Sequence, residues 1–342
     1  MAMAGDTTAK PDRHHVAVIF VHGIHGNVLD FAGKMERKLR EQLADDLQPY
    51  LQFRSVFWAD KVRGNQGDYY GAVQKTRSVR HRMLRKHVIE TLGDAAAYQK
   101  TPNRQNSVYY AVHEKIGNAI GELDLPDHKD RPLILIGHSL GCHVISTFLY
   151  DLNKLKQSTK AEIRAEIADD ELLAEWLGEW EKLRPGRASP FRRLDTLAGI
   201  VTMGNNMPLF TFTFGPKRVR PITVAPEIRR VADDPDAPKE REIHAAFPGA
   251  ALPEPLRTNA QWLNFYSKRD LLGFPLKELY GHVARIHDID VRSESPWLIP
   301  WVWCYFAHTR YWTNRIVLRD TARLIRNVVE APAQASPLPA TG

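Results

Sequence analysis

Short apolar segments alternate along this chain with longer segments in which apolar residues return every three to four positions. The first pattern is typical of buried strands and the second of amphipathic helices. Strands are predicted at residues 15–21, 51–58, 133–136, 197–203, 261–267 and 286–291. Helices are predicted at residues 29–43, 72–92, 107–123, 139–155, 160–183 and 309–329. This alternation predicts an α/β fold with a mostly parallel sheet flanked by helices.

The pattern is lost at both ends of the chain. Residues 1–14 are polar, and residues 331–342 consist largely of alanine, proline and other small residues, so both are predicted to be disordered tails. No repeat or linker divides the remainder, which indicates one domain over residues 15–330.

The composition is that of a globular protein with a moderate excess of positive charge. Apolar residues make up 43% and charged residues 25% of the 342 positions, and the formal net charge is +7. Only two cysteines occur, Cys142 and Cys304, so a cytoplasmic, reducing compartment is expected. Residues 1–14 lack the apolar core of a secretory signal, and the apolar segment 296–306 is shorter than the roughly 20 residues that cross a bilayer.

The predicted helix 72–92 concentrates positive charge in the segment 75–86. Its basic residues there are Lys75, Arg77, Arg80, Arg82, Arg85 and Lys86. They form either the solvated face of a surface helix, which the apolar side of the same helix favours, or a weak contact with an anionic membrane surface. No nucleic-acid-binding motif accompanies them, so no nucleic-acid partner is expected.

The strongest chemical signal is a Gly-x-Ser-x-Gly motif at residues 137–141, where the chain has Gly-His-Ser-Leu-Gly. The motif follows an apolar strand and precedes a predicted helix, which is the setting of a nucleophile elbow. In such a turn Ser139 adopts a strained conformation, and Gly137 and Gly141 leave room where side chains would collide. The N-terminus of the following helix favours developing negative charge.

These residues resemble the α/β-hydrolase family, in particular its lipase- and esterase-like members. Besides the elbow, the matching segments are 21–26, 201–204 and 307–312, and the resemblance extends over roughly residues 15–328. It implies a parallel sheet wrapped by helices and the hydrolysis of esters or related acyl bonds. Too few residues precede His15 for the first two strands of the full family sheet, so a reduced sheet of about six strands is expected.

The resemblance also implies a catalytic triad in the chain order serine, acid, histidine. The serine maps to Ser139, the acid to Asp270 after the strand 261–267, and the base to His308 before the final predicted helix. The competitors are Asp288 and Asp290 for the acid and His282 and His287 for the base. His308 would take the Ser139 proton as general base, and Asp270 would hold the imidazole in the required tautomer.

Backbone N–H groups would form the oxyanion hole of such an enzyme. Leu140, the residue after the nucleophile, would supply one donor, and Ile24, in the loop after the first strand, the second. Gly23 and Gly26 would let that loop approach the substrate closely.

Three further histidines lie within or beside these motifs. His22 and His25 have the spacing of a metal-binding pair, but the loop around them is rich in glycine and no third ligand is evident, so neither a metal nor a cofactor is expected. His138, next to the nucleophile, is expected to serve in packing.

A cap over the site commonly lies between late strands in this family. The irregular, proline-rich insertion 207–256 has that position and is the preferred lid, and the acidic helix 160–183 is the second candidate. At the start of the insertion, Phe210, Phe212 and Phe214 alternate as in a strand.

The predicted function is that of a serine hydrolase that cleaves a small-molecule or lipid ester through an acyl-enzyme intermediate. Two alternatives stay open. The same triad serves an acyltransferase or a thioesterase, and product analysis separates these. A non-catalytic membrane-binding protein on a hydrolase scaffold would instead lack a reactive Ser139.

Overall fold

One six-stranded parallel sheet forms the centre of the protein. The computed structural model describes residues 13–23, 30–60, 95–101, 107–167, 169–211, 247–277, 285–291 and 307–332. The strands are β1 (Val16–Val21), β2 (Leu51–Val56), β3 (Leu133–His138), β4 (Leu197–Met203), β5 (Gln261–Tyr266) and β6 (Ile286–Asp290). Their order is β2-β1-β3-β4-β5-β6, and every pairing is parallel. The predicted α/β class, with a parallel sheet of six strands, is confirmed.

Helices cover both faces of this sheet. Those described are α1 (Gly33–Gln42), α2 (Val108–Leu123), α3 (Leu140–Gln157), α4 (Lys160–Glu166), α5 (Asp170–Lys182), α6 (Met207–Thr211), α7 (Glu254–Asn259) and α8 (Arg315–Val329). Short 3₁₀ helices cover Asp45–Tyr50, Pro126–His128 and Arg310–Thr313. The pair α1 and α8 packs on one face, and the pair α2 and α3 packs on the other.

The central strands are apolar throughout because both of their faces are covered. In β1, Ala17 and Ile19 belong to the hydrophobic cluster that includes α2 and α3, whereas Val18 and Phe20 belong to the cluster that includes α1 and α8. Every residue of β1, β3 and β4 is buried. Continuous apolar runs, and not alternating ones, are therefore the pattern that such strands require.

The order of the strands reverses between β1 and β3. The strand β2 lies on the far side of β1, whereas β4, β5 and β6 extend from β3 in the other direction. In open parallel sheets, ligand sites lie at the carboxyl ends of the strands where the order reverses. The loop that begins at His22 follows β1 and Ser139 follows β3, so both belong to this position.

Two of the predicted helices are each divided. The acidic segment 160–183 forms α4 and α5, because the side chain of Asp169 accepts a hydrogen bond from the N–H of Leu172 at 2.8 Å and begins a new helix. The segment 309–329 forms a 3₁₀ helix and then α8, because the Asn314 side chain accepts backbone hydrogen bonds from the first turn of α8. The prediction of one continuous helix is wrong in both places, since periodicity does not reveal a cap within an apolar repeat.

The insertion 207–256 begins as a helix and not as a strand. The side chain of Asn205 accepts a hydrogen bond from the backbone N–H of Met207 at 2.8 Å, and α6 starts there. Phe210 therefore lies in a helical turn, which corrects the strand predicted from its alternation with Phe212. A local side-chain cap decides the conformation where a short aromatic repeat is ambiguous.

The end of the same insertion belongs to the body of the domain. The N–H of Gly249 donates to the carbonyl oxygen of Leu197 at the start of β4, over 2.9 Å, and Leu252 and Leu256 are buried against the layer of α1 and α8. The intervening residues 212–246, on which the expected lid depends, lie outside the described residues.

Two other expectations fall partly or wholly outside the described residues. The basic helix 72–92 lies there, as do residues 1–12 and 333–342 of the predicted tails. Within the part of the chain that is described, no helix combines the length and the apolar character needed to cross a membrane.

Candidate active site

Ser139 occupies the turn between β3 and α3 with φ 55° and ψ −127°. This positive φ is strained for a residue that carries a side chain. The backbone N–H of Ser139 donates to the carbonyl oxygen of Met203 on β4 at 2.9 Å, which ties the turn to the neighbouring strand. The turn has the geometry of the sharp strand-to-helix bend that the motif predicts.

The two glycines of the motif are required by close packing around this turn. A Cβ atom on Gly137 would lie 3.1 Å from the backbone N and Cα atoms of Cys142. A Cβ atom on Gly141 would lie 2.4 Å from the carbonyl oxygen of Val21, at the end of β1. Any larger residue would push the elbow away from the sheet.

The loop after β1 lies directly against the elbow. A Cβ atom on Gly23 would lie 2.5 Å from the Cβ atom of Ser139 and 3.1 Å from the backbone nitrogen of Leu140. Gly23 therefore brings its loop to the N-terminus of α3, where Leu140 is the first helical residue. The other expected oxyanion donor, Ile24, and Gly26 lie outside the described residues.

His308 reaches Ser139 although the two residues are 169 positions apart. Its Nε2 atom lies 2.7 Å from Oγ of Ser139, and its Nδ1 atom lies 2.9 and 3.0 Å from the two carboxylate oxygens of Asp270. Because a carboxylate only accepts hydrogen bonds, Nδ1 carries the ring hydrogen and Nε2 accepts from the serine hydroxyl. The structure thus brings together the three residues predicted as the triad, in an arrangement suited to removal of the serine proton.

Asp270 is buried and satisfied by several donors. Besides His308, the N–H of Leu272 donates to its Oδ1 at 2.9 Å and the hydroxyl of Tyr311 donates to its Oδ2 at 2.8 Å. Burial alone would raise the pKa of Asp270, but the hydrogen bond and charge of His308, together with the other two donors, outweigh it and lower that pKa. The carboxylate is therefore ionised at neutral pH.

The competing acids and bases are engaged elsewhere. Asp288 accepts hydrogen bonds over 2.6–2.9 Å from the side chain of Asn264 and the backbone N–H groups of Leu276 and Lys277. Asp290 lies 3.5 Å from Nζ of Lys268. His287 belongs to β6, where burial lowers its pKa, and His282 lies outside the described residues. Among the described candidates, His308 is the imidazole that contacts Ser139, and Asp270 is the carboxylate that contacts His308.

His138 supports the base through the backbone. Its Nε2 atom donates to the carbonyl oxygen of His308 over 2.7 Å. Burial, aided by the nearby His308, lowers the pKa of His138 to about 3, so the ring is neutral. The residue expected only to pack thus also fixes the position of its neighbour.

Tyr311 is the site residue that the sequence pattern does not single out. It lies three residues after His308, and helical residues three apart project to the same side. That spacing was the available signal, since a buried hydroxyl needs a partner and Asp270 is the acceptor beside it.

His22 has a structural role, and not that of a metal ligand. Its Nδ1 atom donates to the carbonyl oxygen of Gly23 over 2.5 Å, and its Nε2 atom accepts from the backbone N–H of Trp58 over 3.0 Å. The ring also stacks on Trp58, with 5.0 Å between ring centroids. His25 lies outside the described residues, and the described ones contain no group of three or more side chains that could hold a metal ion.

No protein-family model matches the chain, and no curated protein matches it. The chemistry proposed for the site therefore depends on its geometry and on the resemblance of its motifs.

Proposed function

We propose that the chain is a serine hydrolase of the α/β-hydrolase type and that it cleaves carboxylic esters. The observation that carries the proposal is the 2.7 Å contact between Nε2 of His308 and Oγ of Ser139, with Asp270 on the opposite ring nitrogen. The family assignment is supported by the parallel sheet, the strained turn after β3 and the position of the site where the strand order reverses.

The reaction proceeds in two steps through an acyl-enzyme. His308 takes the hydroxyl proton as Oγ of Ser139 attacks the ester carbonyl carbon, and Asp270 stabilises the imidazolium that forms. The backbone N–H of Leu140, at the N-terminus of α3, binds the oxyanion, and Ile24, outside the described residues, is the proposed second donor. The imidazolium then protonates the departing alcohol, and His308 activates a water molecule that releases the acid.

Two exposed apolar side chains of the described residues support a substrate with an apolar part. Leu209 is 43% exposed and Leu271 is 68% exposed. Leu209 follows β4 and Leu271 directly follows Asp270, so both belong to segments that leave the carboxyl edge of the sheet. An apolar acyl or alcohol group would cover such surface favourably.

Labelling with an alkyl fluorophosphonate, followed by mapping of the modified residue, tests the proposal. Wild type and Ser146→Ala, in which a buried serine two turns further along α3 is removed, should be labelled on Ser139. Ser139→Ala should be unlabelled and should lose turnover of a responsive ester by a factor on the order of 10⁶.

The other outcomes distinguish the alternatives. A folded wild type without label, combined with vesicle binding that weakens with salt, would favour the non-catalytic membrane-binding alternative. Products formed in the presence of competing alcohols and thiols would identify an acyltransferase, and an ester panel of graded acyl length would define the pocket.

A further inference from the structure

Tyr311 makes a contact that the hydrolysis mechanism does not require. Its hydroxyl donates to Oδ2 of Asp270 over 2.8 Å, and the residue is only 1% exposed. We propose that Tyr311 is a positioning residue of the site, whose hydroxyl holds the Asp270 carboxylate in the orientation that binds His308. This inference rests on the proposed function.

The tyrosine is committed to act as a donor. Burial and the negative charge of Asp270 both raise the pKa of Tyr311, so the hydroxyl keeps its hydrogen. An ionised carboxylate offers only acceptors, which fixes the direction of the hydrogen bond. Hydrogen bonds to a charged group are about twice as strong as neutral ones, and this one lies in a buried site where it is little screened.

Two glycines leave space for this contact. A Cβ atom on Gly273 would lie 2.5 Å from Oδ2 of Asp270 and 3.0 Å from the Tyr311 hydroxyl. A Cβ atom on Gly204, which has φ +55°, would lie 2.9 Å from Cε2 of Tyr311 and 3.1 Å from Oδ2 of Asp270. The tyrosine and the carboxylate therefore meet where two flanking segments carry glycine, so that no Cβ atom collides with either group.

The hydroxyl fixes one of the two carboxylate oxygens. Oδ1 of Asp270 is held by the N–H of Leu272 at 2.9 Å, and Oδ2 is held by Tyr311, while Nδ1 of His308 contacts both oxygens. The terminal torsion of an aspartate is broad and does not by itself fix the carboxylate plane. Without Tyr311 that plane can turn, and His308 loses part of the support that aims Nε2 at Ser139.

The same contact bears on the response of the site to pH. Among the described residues, the titratable groups that act on Asp270 are His308 and Tyr311, with His138 beyond them. Because hydrogen bonds hold the pKa of Asp270 down against burial, removal of one donor lets that pKa rise. A carboxylate that binds a proton more strongly also stabilises a protonated imidazole beside it more strongly, so reactivity of Ser139 should then be lost at a higher pH than in the wild type.

The experiment compares Tyr311→Phe with Tyr109→Phe. Tyr109 is also a buried tyrosine that donates to a buried carboxylate, Asp151, over 2.9 Å, but it lies in the layer of α2 and α3. The rate constant for fluorophosphonate labelling of Ser139 is measured against pH, together with thermal unfolding. Tyr311→Phe should slow labelling about ten- to a hundred-fold and move its acidic limb to higher pH, whereas Tyr109→Phe should change only the stability.

Two results would overturn the inference. One is that Ser139 is labelled in the wild type and that Tyr311→Phe is labelled at the same rate and with the same pH profile. The other is an equal loss in both tyrosine variants, which would mean a general effect of lost stability. A folded wild type without label at Ser139 would refute the proposed function itself, and this inference with it.

A second variant guards against failure of Tyr311→Phe to fold. Gly273→Ala keeps the hydroxyl but places a methyl group 2.5 Å from Oδ2 of Asp270 and 3.0 Å from the Tyr311 hydroxyl, so it disturbs the same contact. It should shift the rate and the acidic limb in the same direction, and unchanged labelling in folded Gly273→Ala would count against the inference.

Discussion

His138 donates its Nε2 hydrogen to the backbone carbonyl oxygen of His308 over 2.7 Å, across 170 positions of sequence. The residue before Ser139 therefore fixes the backbone of the residue whose side chain contacts the Ser139 hydroxyl. The donor is a neutral imidazole, because burial lowers its pKa to about 3. The serine turn and the histidine segment are thus joined by a buried, uncharged hydrogen bond as well as by the contact between their side chains.

The buried state of His138 should make the protein less stable in acid. The folded imidazole takes up a proton only near pH 3, whereas its ordinary pKa in the unfolded chain is 6.5. Between these values the unfolded state binds more protons, so the free energy of unfolding falls as the pH falls, by about 1.4 kcal/mol per unit for this one group. Urea unfolding at several pH values should show that the free energy of unfolding depends less steeply on pH in His138→Gln than in the wild type. Glutamine keeps a hydrogen-bond donor but does not titrate. Equal slopes in the two proteins would contradict the assignment.

Gly23→Ala should impair the site while Gly117→Ala should not. An added methyl group at Gly23 would lie 2.5 Å from the Cβ atom of Ser139, whereas nothing lies within 4 Å of one added at Gly117 in α2. Displacement of reacting groups by about 1 Å slows reactions on the order of a hundred-fold, so labelling of Ser139 should slow by at least that factor. Gly117→Ala should gain about 0.5–1 kcal/mol of stability at unchanged reactivity. Similar labelling rates in both variants would contradict the close packing of the loop on the elbow.

Asp270→Asn should mainly slow the labelling of Ser139, whereas Asp288→Asn should mainly lower stability. The first removes the partner that sets the His308 tautomer, and labelling of Ser139 should fall by a factor on the order of 10⁴. In the second variant, an amide NH2 group faces backbone N–H groups that donate to the Asp288 carboxylate in the wild type. Stability should fall by about 1–3 kcal/mol, with a much smaller effect on labelling. Thermal unfolding and labelling rates of both variants decide the assignment, and a larger loss of reactivity in Asp288→Asn would reverse it.

Ser139→Gly should be more stable than Ser139→Ala. Both variants lack the hydroxyl, but only glycine adopts φ 55° and ψ −127° without strain, which is worth about 1–3 kcal/mol at such positions. Glycine also loses more chain entropy on folding, by about 0.5–1 kcal/mol, so the net difference should be about 1 kcal/mol. Denaturant unfolding measures it, and a more stable alanine variant would argue against strain in the turn.

The sheet was predictable because its central strands carry an unambiguous pattern. The strands β1, β3 and β4 are buried at every residue, and each was evident as a continuous apolar run. Helix boundaries were less predictable, since Asp169 and Asn314 interrupt apolar repeats that continue beyond them. A side-chain cap acts through one or two hydrogen bonds, which a periodicity averaged over several turns does not register.

The residues of the candidate site were predictable where a local motif or the order of residues in the resembling family indicates them. Ser139 follows from its motif, and Asp270 and His308 were placed by the chain order of a resembling family. The choice of Asp270 over Asp288 could not be derived from residue types. It depends on the backbone N–H groups of Leu276 and Lys277, which donate to the carboxylate of Asp288. The spacing of three residues places Tyr311 on the same side as His308, but its contact with Asp270 also depends on packing around Gly273.

The sequence separation between Ser139 and His308 has a consequence during synthesis. A ribosome that has completed β3 and α3 has made Ser139, yet His308 lies 169 positions further along the chain. Until that last portion emerges and docks, Ser139 lacks the imidazole that contacts its hydroxyl. The contact between the two side chains therefore forms only after translation has passed residue 308.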